Sequence, residues 1–383
     1  MKIALAHKRL DRKGGTERDF YLTAEGLRNL GHEVHLFCGE LGVPAPEGVQ
    51  THKVPSVPLG RTARLLSFAF LAPRAISRHR WDVVVSFGRM VRQDVLRSGG
   101  GTHRAFLRKM EQSGRAHRWL WHRLSPYHRS VLAVERLQYG ANGHKKILAV
   151  SEEVKREIVS HYRVPEERIS VIYNGVDHER FHPRHRDRAR ARVRAEWGIP
   201  AQAPLVLFVG SGFERKGLDC LLKVWKSPRL KEVCLLVVGE DAQRARYASW
   251  AARESGARIR FTGRQEAVEE FYGAADILAL PARQEAFGNV VLEALASGLP
   301  VLVSKIAGAA EVLADGLEGG ILERPDDPAE IETKLLRLLE PGHWPRFSER
   351  ARRLGERYSW TNHFRALESY LQTVASENRA NFS

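Results

Sequence analysis

Hydrophobic residues along the chain fall into two recurring patterns. Some form short unbroken apolar runs; elsewhere apolar positions recur every three or four residues. The first is what a strand buried on both faces of a parallel sheet looks like, and the second marks a helix with one buried face. In the first half, Lys2 to Ala6, Glu33 to Cys38, Asp82 to Phe87 and Lys146 to Val150 read as strands, with Glu17 to Leu30 and Glu152 to Tyr162 as the clearest helices. In the second, Leu205 to Val209, Val233 to Val238, Arg258 to Thr262, Ile277 to Leu280 and Pro300 to Ser304 read as strands. This alternation predicts an α/β fold of two Rossmann-like domains, each a parallel sheet with right-handed crossovers. The join lies near Asn174-Gly175-Val176-Asp177, which gives one domain over 1–177 and another over 178–360. His178 to Val193 is too rich in Arg and His for a buried strand and reads as a linker with a solvated helix start. Near the C-terminus Phe364, Leu367 and Tyr370 recur at helical spacing and need a surface to bury against.

Ligand loops belong at the carboxyl ends of such strands. After Ile277 to Leu280 and Pro281 comes Gln284-Glu285-Ala286-Phe287-Gly288-Asn289, and then the apolar positions Val291, Leu292 and Leu295 of a helix that contains Glu293. The amides of Phe287, Gly288 and Asn289 are thereby expected at a helix N-terminus, where the dipole favours an anion. Glu285 and Glu293 would repel a phosphate unless each has its own target, and sugar or ribose hydroxyls, which donate hydrogen bonds to carboxylates, are such targets. A nucleotide sugar supplies hydroxyls at both ends and phosphates between; a solvated loop Glu and a surface helix Glu are the plainer alternative. The run Gly210-Ser211-Gly212-Phe213-Glu214-Arg215-Lys216-Gly217 leaves another predicted strand and sets adjacent cations at its end. They can neutralise a diphosphate, or form an ordinary basic turn.

Charge changes the picture in the N-terminal half. Between Arg61 and Arg136 there are 16 basic and four acidic residues, and within that window Arg118-Trp119-Leu120-Trp121-His122-Arg123 interleaves aromatic and cationic side chains. That composition suits contact with anionic lipid or an anionic acceptor, with Arg118, Trp119, Trp121 and Arg123 as the contact residues. A core helix and a solubilising surface are the competing readings. Nucleic acid ranks last, since no recognised binding signature accompanies the charge. The longest apolar stretch, Leu65 to Ala72, falls far short of the roughly 20 residues that span a bilayer. The N-terminus is interrupted by charge too soon for a secretory signal. Cys38, Cys220 and Cys234 lack metal-type spacing and read as reduced, core-packed thiols.

Six pieces in order, Lys13-Gly14-Gly15-Thr16-Glu17-Arg18, Val150-Ser151-Glu152, Tyr173-Asn174-Gly175-Val176-Asp177, Gly210 through Gly217, Phe261-Thr262-Gly263-Arg264 and the Glu285 to Glu293 pair, carry a resemblance across nearly the whole chain. The chain resembles the retaining GT-B glycosyltransferases, the group that includes lipopolysaccharide-core sugar transferases and sucrose synthases. Phe213 to Gly217 and Gln284 to Ala286 look most like the glucosyltransferases that begin the lipopolysaccharide outer core; many relatives have Gly where this chain has Ala286.

The resemblance implies two Rossmann-like domains facing each other across a cleft, with a C-terminal helix, 361–383, crossing back to the N-terminal domain. It implies a nucleotide-sugar donor, a UDP-hexose with glucose first, as co-substrate, with no cofactor. The base would lie near Gly263 and Arg264, the ribose on Glu293, the diphosphate on Arg215, Lys216 and the amides after Ala286, and the sugar hydroxyls on Glu285. Gly14 and Gly15 would let the first loop approach donor and acceptor, Asn174 would serve the acceptor or domain junction, and His103, after Gly99-Gly100-Gly101, would support the reacting sugar. A bland surface His and an ordinary turn at Gly14-Gly15 stay open as alternatives. No Asp-x-Asp motif is present, so metal independence is expected, with front-face transfer and retained stereochemistry. The acceptor implied is an anionic glycolipid, a lipopolysaccharide core, reached by a cytoplasmic enzyme held peripherally at the inner face of the cytoplasmic membrane. An exopolysaccharide or phospholipid acceptor is the alternative, and a non-catalytic basic adaptor on the same scaffold a remote one.

Overall fold

The computed structural model describes residues 1–12, 14–112, 125–255, 258–340 and 342–380. The chain divides into two units, one comprising Met1–Tyr173 and the residues from Thr361 onward, the other Asn174–Trp360. Each has its own sheet, and every strand pairing in both is parallel.

In the first unit the strands are β1 (Lys2–Leu10), β2 (Glu33–Leu41), β3 (Gln50–Lys53), β4 (Val83–Ser86), β5 (Val95–Ser98), β6 (Lys146–Ala149) and β7 (Ile169–Val171), in the order β3-β2-β1-β4-β5-β6-β7. In the second they are β8 (Leu205–Val209), β9 (Cys234–Val238), β10 (Ile259–Gly263), β11 (Ile277–Leu280), β12 (Val301–Ser304) and β13 (Gly319–Leu322), in the order β10-β9-β8-β11-β12-β13. Strand order reverses between β1 and β4 and again between β8 and β11. At such a switch point the loops leave in opposite directions, and a crevice opens above the strands' carboxyl ends.

Strands β3, β5, β7 and β13 are additional to those expected from the sequence. All have three or four residues; β3, β7 and β13 are edges, and β5 holds the charged Arg97, so none shows an unbroken apolar run.

Register sorts the side chains of the first sheet. Ile3 pairs with Val34 and Val83, and Leu5 with Leu36 and Val85, so these point to one face together with Phe20 and Leu27. Ala4, Ala6 and Phe37 point to the other, against Phe68, Ala72 and Met90. The helix Trp360–Ala380 completes the first of these cores through Leu367, Leu371 and Val374. Of the apolar face expected there, Leu367 is buried, whereas Phe364 and Tyr370 are half-buried. Phe364 lies on the helix Gly15–Asn29 at Gly26, where a Cβ would come 2.4 Å from its ring. His363 is buried beside them with Nδ1 2.7 Å from the carbonyl of Tyr173, and burial lowers its imidazole to about 4.

The expectation of a solvated helix start over the Arg-rich segment is corrected. The helix His185–Glu196 sets Arg186, Arg190 and Arg194 four residues apart, and all three reach the carboxylate of Asp276 at 2.8 Å. Arg194 is only 2% exposed and also donates to the carbonyls of Pro200, Ala201, Ala203 and Ala274. Spacing of four places residues on one helical face whatever their polarity. Here the stripe is cationic because its partner is a buried anion. Among the described residues no helix is long and apolar enough to cross a membrane.

Candidate functional site

The switch point of the second sheet gathers the residues singled out from the sequence. Loop 210–217 leaves β8, and loop 281–288 leaves the neighbouring β11. Gly217 adopts φ 77°, and a Cβ there would lie 1.9 Å from the Pro281 carbonyl oxygen, so the two loops touch only because this position is glycine. Next to that contact the Arg283 amide donates to the Arg215 carbonyl at 2.9 Å, and Arg215 Nη1 returns a bond to the Gln284 carbonyl at 2.8 Å.

This interlocking brings three predicted residues together. Arg215 Nη1 lies 3.1 Å and Lys216 Nζ 3.0 Å from the same oxygen, Oε2 of Glu285. Lys216 is 7% exposed, so its charge is held in a low-dielectric setting. Burial alone would raise the Glu285 carboxyl, but Lys216 and Arg215 together hold it below the usual carboxylate range. The result is a partly exposed patch of net positive charge with one carboxylate inside it, chemistry that fits a diphosphate flanked by a hydroxyl donor.

Loop 281–288 is fixed on its other side by backbone bonds from Gly308 to the Glu285 carbonyl (3.3 Å) and from Ala309 to the Phe287 carbonyl (2.7 Å). Gly288 precedes the helix Asn289–Ala296, so Ala286, Phe287, Gly288 and Asn289 stand at its N-terminus. Asn289 Oδ1 accepts from Asn174 Nδ2 at 2.8 Å, which joins two residues proposed for separate roles. Glu293, inside the helix, is buried, and its Oε2 accepts from the Tyr272 hydroxyl at 2.8 Å. Gly263 ends β10 with its carbonyl bonded to the Gly239 amide at 2.9 Å, and Arg264 beyond it is exposed.

The first sheet has its own crevice. A cavity of about 550 Å³ opens at the carboxyl ends of β1, β4 and β5, lined by Lys8, Arg61, Arg64, Arg89 and Arg97 together with Glu17 and Glu135. Glu17 is brought down to about 2, chiefly by His7, whose Nε2 lies 3.6 Å away, with Lys8 Nζ at 3.8 Å adding to the effect. Glu135 is buried and accepts from Arg89 (3.1 Å), the Tyr162 hydroxyl (2.7 Å) and the backbone amide of His103 (2.7 Å).

Sequence reasoning missed Arg97 and Glu135, which carry no motif, and gave Glu17 no role although it lies in the quoted Gly-Gly-Thr-Glu run. Gly99, Gly100 and Gly101 line the cavity. His103 instead begins the helix His103–Gln112, with Nε2 2.8 Å from Nδ1 of His128 and the two rings stacked. Gly14 precedes the helix Gly15–Asn29 at φ 101°, so Gly15 is its first helical residue and not part of the loop. Arg118, Trp119, Trp121 and Arg123 lie outside the described residues.

Comparison with known proteins agrees over both units. Residues 13–180 match the family model described as Glycosyltransferase Family 4, and residues 203–341 match Glycosyl transferases group 1. The lipopolysaccharide glucosyltransferase WaaG of Escherichia coli is 29% identical over 332 residues, covering 85% of this chain and 86% of that protein. A D-inositol 3-phosphate glycosyltransferase of Streptomyces bingchenggensis is 34% identical over 230 residues, covering 56% of this chain and only 50% of its own length. The crystal structure of WaaG superposes with a TM-score of 0.80 at 24% identity, covering 97% of this chain and 99% of that one. Anabaena Alr3699/HepE in complex with UDP and glucose does so at 0.72 and 18%, covering 97% and 100%. These superpositions speak for a shared fold, and the two family models for the kind of enzyme each half comes from. The chain belongs to the GT-B glycosyltransferases.

Proposed function

We propose that this glycosyltransferase moves a hexose, glucose first, from a UDP-sugar to an anionic glycolipid acceptor of the lipopolysaccharide-core type, with retention at the anomeric carbon and without a metal ion. The observation that carries the donor half is the convergence of Arg215 and Lys216 on Glu285 Oε2 at the switch point between β8 and β11. The diphosphate is assigned to these cations and to the helix start after Ala286, where backbone N–H groups and the dipole add to them. Both cations engage Oε2, so Oε1 of Glu285 is assigned to the sugar hydroxyls. Glu293 is assigned to the ribose, and Gly263 with Arg264 to the base. An Anabaena relative of this fold is described with UDP and glucose, and the Escherichia coli relative is named a lipopolysaccharide glucosyltransferase, which supports the choice of donor and acceptor.

During transfer the bond from C1 to the diphosphate oxygen breaks while a bond from C1 to the acceptor oxygen forms on the same face. The acceptor's hydroxyl proton passes to the departing diphosphate. Arg215 and Lys216 act on the charge that grows on that leaving group, and because they are fixed before reaction they cost no reorganisation when it occurs. The acceptor is assigned to the first unit's cavity, where Glu17 can take a hydroxyl and Arg61 and Arg64 an anionic group.

A thermal-shift screen over nucleoside diphosphates and their sugars, followed by transfer to purified lipopolysaccharide core, tests the reading. The expected outcome is stabilisation by UDP and UDP-glucose, acceptor-dependent UDP release and a product with the donor's anomeric configuration. Nucleotide binding with neither hydrolysis nor transfer would favour the adaptor instead.

Peripheral membrane contact is assigned to the basic window that holds Arg118, Trp119, Trp121 and Arg123. Arg61 and the 80%-exposed Leu59 lie close together in the chain just before it and at its start. Binding to anionic vesicles is expected to fall steeply with salt, since each cation there contributes about 1 kcal/mol that is screened within a Debye length. Equal binding to neutral vesicles would remove this assignment.

A further inference from the structure

Arg283 lies two residues before Glu285 and belongs to no motif considered so far. Its guanidinium is fully engaged: Nη1 and Nη2 hold both oxygens of Asp219 at 2.6 and 2.8 Å, Nε holds Asp326 at 2.6 Å, and Nη1 also donates to the Glu214 carbonyl at 2.9 Å. Asp219 follows Lys216 by three residues, at the start of the helix Leu218–Val224 that loop 210–217 runs into. Asp326 comes from the segment after β13. The backbone amide of Arg283 bonds the Arg215 carbonyl, so side chain and main chain of this residue grip the loop of Arg215 and Lys216 at several points.

These contacts have an electrostatic meaning as well as a mechanical one. Asp219 stands three residues beyond Lys216 where loop 210–217 enters its helix, and Arg283 is the cation found on both it and Asp326. Without it, Asp219 would carry an uncompensated negative charge three residues from Lys216, at the end of the loop assigned to the diphosphate, and would oppose an incoming phosphate. A bidentate guanidinium–carboxylate pair is the arrangement best suited to keeping an anion occupied.

We propose that Arg283 is a positioning residue that guards the phosphate site: it neutralises Asp219 and Asp326 and so reserves Arg215 and Lys216 for the donor diphosphate. This rests on the donor reading given above. Arg283 touches neither donor nor reacting atoms in this scheme; it acts through its two aspartates.

The test is binding of UDP and of uridine, measured by calorimetry on the full chain. Arg283→Ala is expected to weaken UDP about tenfold, the scale of one uncompensated charge near a surface anion site, and to leave uridine unchanged. Adding Asp219→Asn to Arg283→Ala is expected to recover most of the loss, and Arg283→Lys, which restores charge without the fork, to lose little. A simple structural brace instead predicts weakening of UDP and uridine together, with a lowered unfolding temperature. Loss without recovery on Asp219→Asn, or equal weakening of UDP and uridine, overturns the guard. Should Arg283→Ala fail to fold, Arg283→Gln carries the same comparison with side-chain length retained. If the wild-type chain binds uridine diphosphate and pyrophosphate no better than uridine, the donor reading itself falls, and this inference with it.

Discussion

Two carboxylates in the second unit gather cations, one buried and one half-buried, and they do so differently. Asp276 is surrounded: Arg186 and Arg190 occupy Oδ1, while Arg194 and the Leu205 amide occupy Oδ2. Its arginines come from one helix, whose periodicity sets their spacing. Glu285 receives both its cations on one oxygen, and these come from a loop on the neighbouring strand. In both, burial pushes the carboxyl up and the cations more than reverse it. A saturated anion on a regular element is a fastener, whereas a partly occupied one between two loops at a switch point retains capacity for a ligand. Similar ion-pair chemistry is saturated in one case and left open in the other, and the proposed donor role of Glu285 rests on that opening.

Breaking the fastener should have the largest effect. Asp276→Ala leaves three guanidinia without their anion, and losing one partner of a buried ion pair costs about 3–5 kcal/mol. Urea unfolding should show that loss, while turnover of the molecules that remain folded stays near wild type. Lys216→Ala should do the reverse. It removes a preorganised donor, for which roughly 10²- to 10³-fold in turnover is the usual scale, and should leave the unfolding midpoint almost unchanged. Turnover within about twofold of wild type would end the distinction drawn here.

A third group sharpens the contrast, because at His363 burial meets no compensating anion strong enough to oppose it. Its folded value of about 4 lies below the ordinary 6.5, so between those limits the unfolded chain binds the proton that the folded chain refuses. Its contribution is therefore complete above pH 6.5 and is lost as pH falls from there to about 4, a change of about 3 kcal/mol at most. Equilibrium unfolding from pH 7.5 to 4.5 should show this slope, and His363→Asn should flatten it. The smallest expected effect is none: a chelator should leave transfer unchanged, since the cations facing Glu285 are side chains. Activity abolished by chelator and restored by magnesium would reverse that assignment.

Legibility followed burial. Strands such as β8 and β11 are apolar on both faces and announce themselves, and the loops at their ends could be located because the strands could. The pairing of Arg215 and Lys216 with Glu285 joins residues about 70 apart in the chain, yet both loops were already placed at strand ends and only their adjacency was missing. Arg186, Arg190 and Arg194 misled for a definite reason: a polar stripe at helical spacing normally faces water, and only knowledge of where Asp276 sits reveals otherwise. Glu135 and Arg97 were invisible because each sits alone in its local sequence and gains its role from partners on other elements, Arg89 and Tyr162 for one, Asp19 for the other.

The last helix gives the chain an order of assembly. Leu367, Leu371 and Val374 are part of the core formed by Ile3, Leu5 and Phe20, so the first unit is built from two stretches of chain that flank the second. On the ribosome, Met1–Tyr173 emerges early but must wait for its final wall, while Asn174–Trp360 is one continuous stretch that can close on itself as soon as it is out. The half made first is finished last. A chain that stops short of residue 361 would complete the second unit and strand the first with its apolar face open to whatever else the cell offers it.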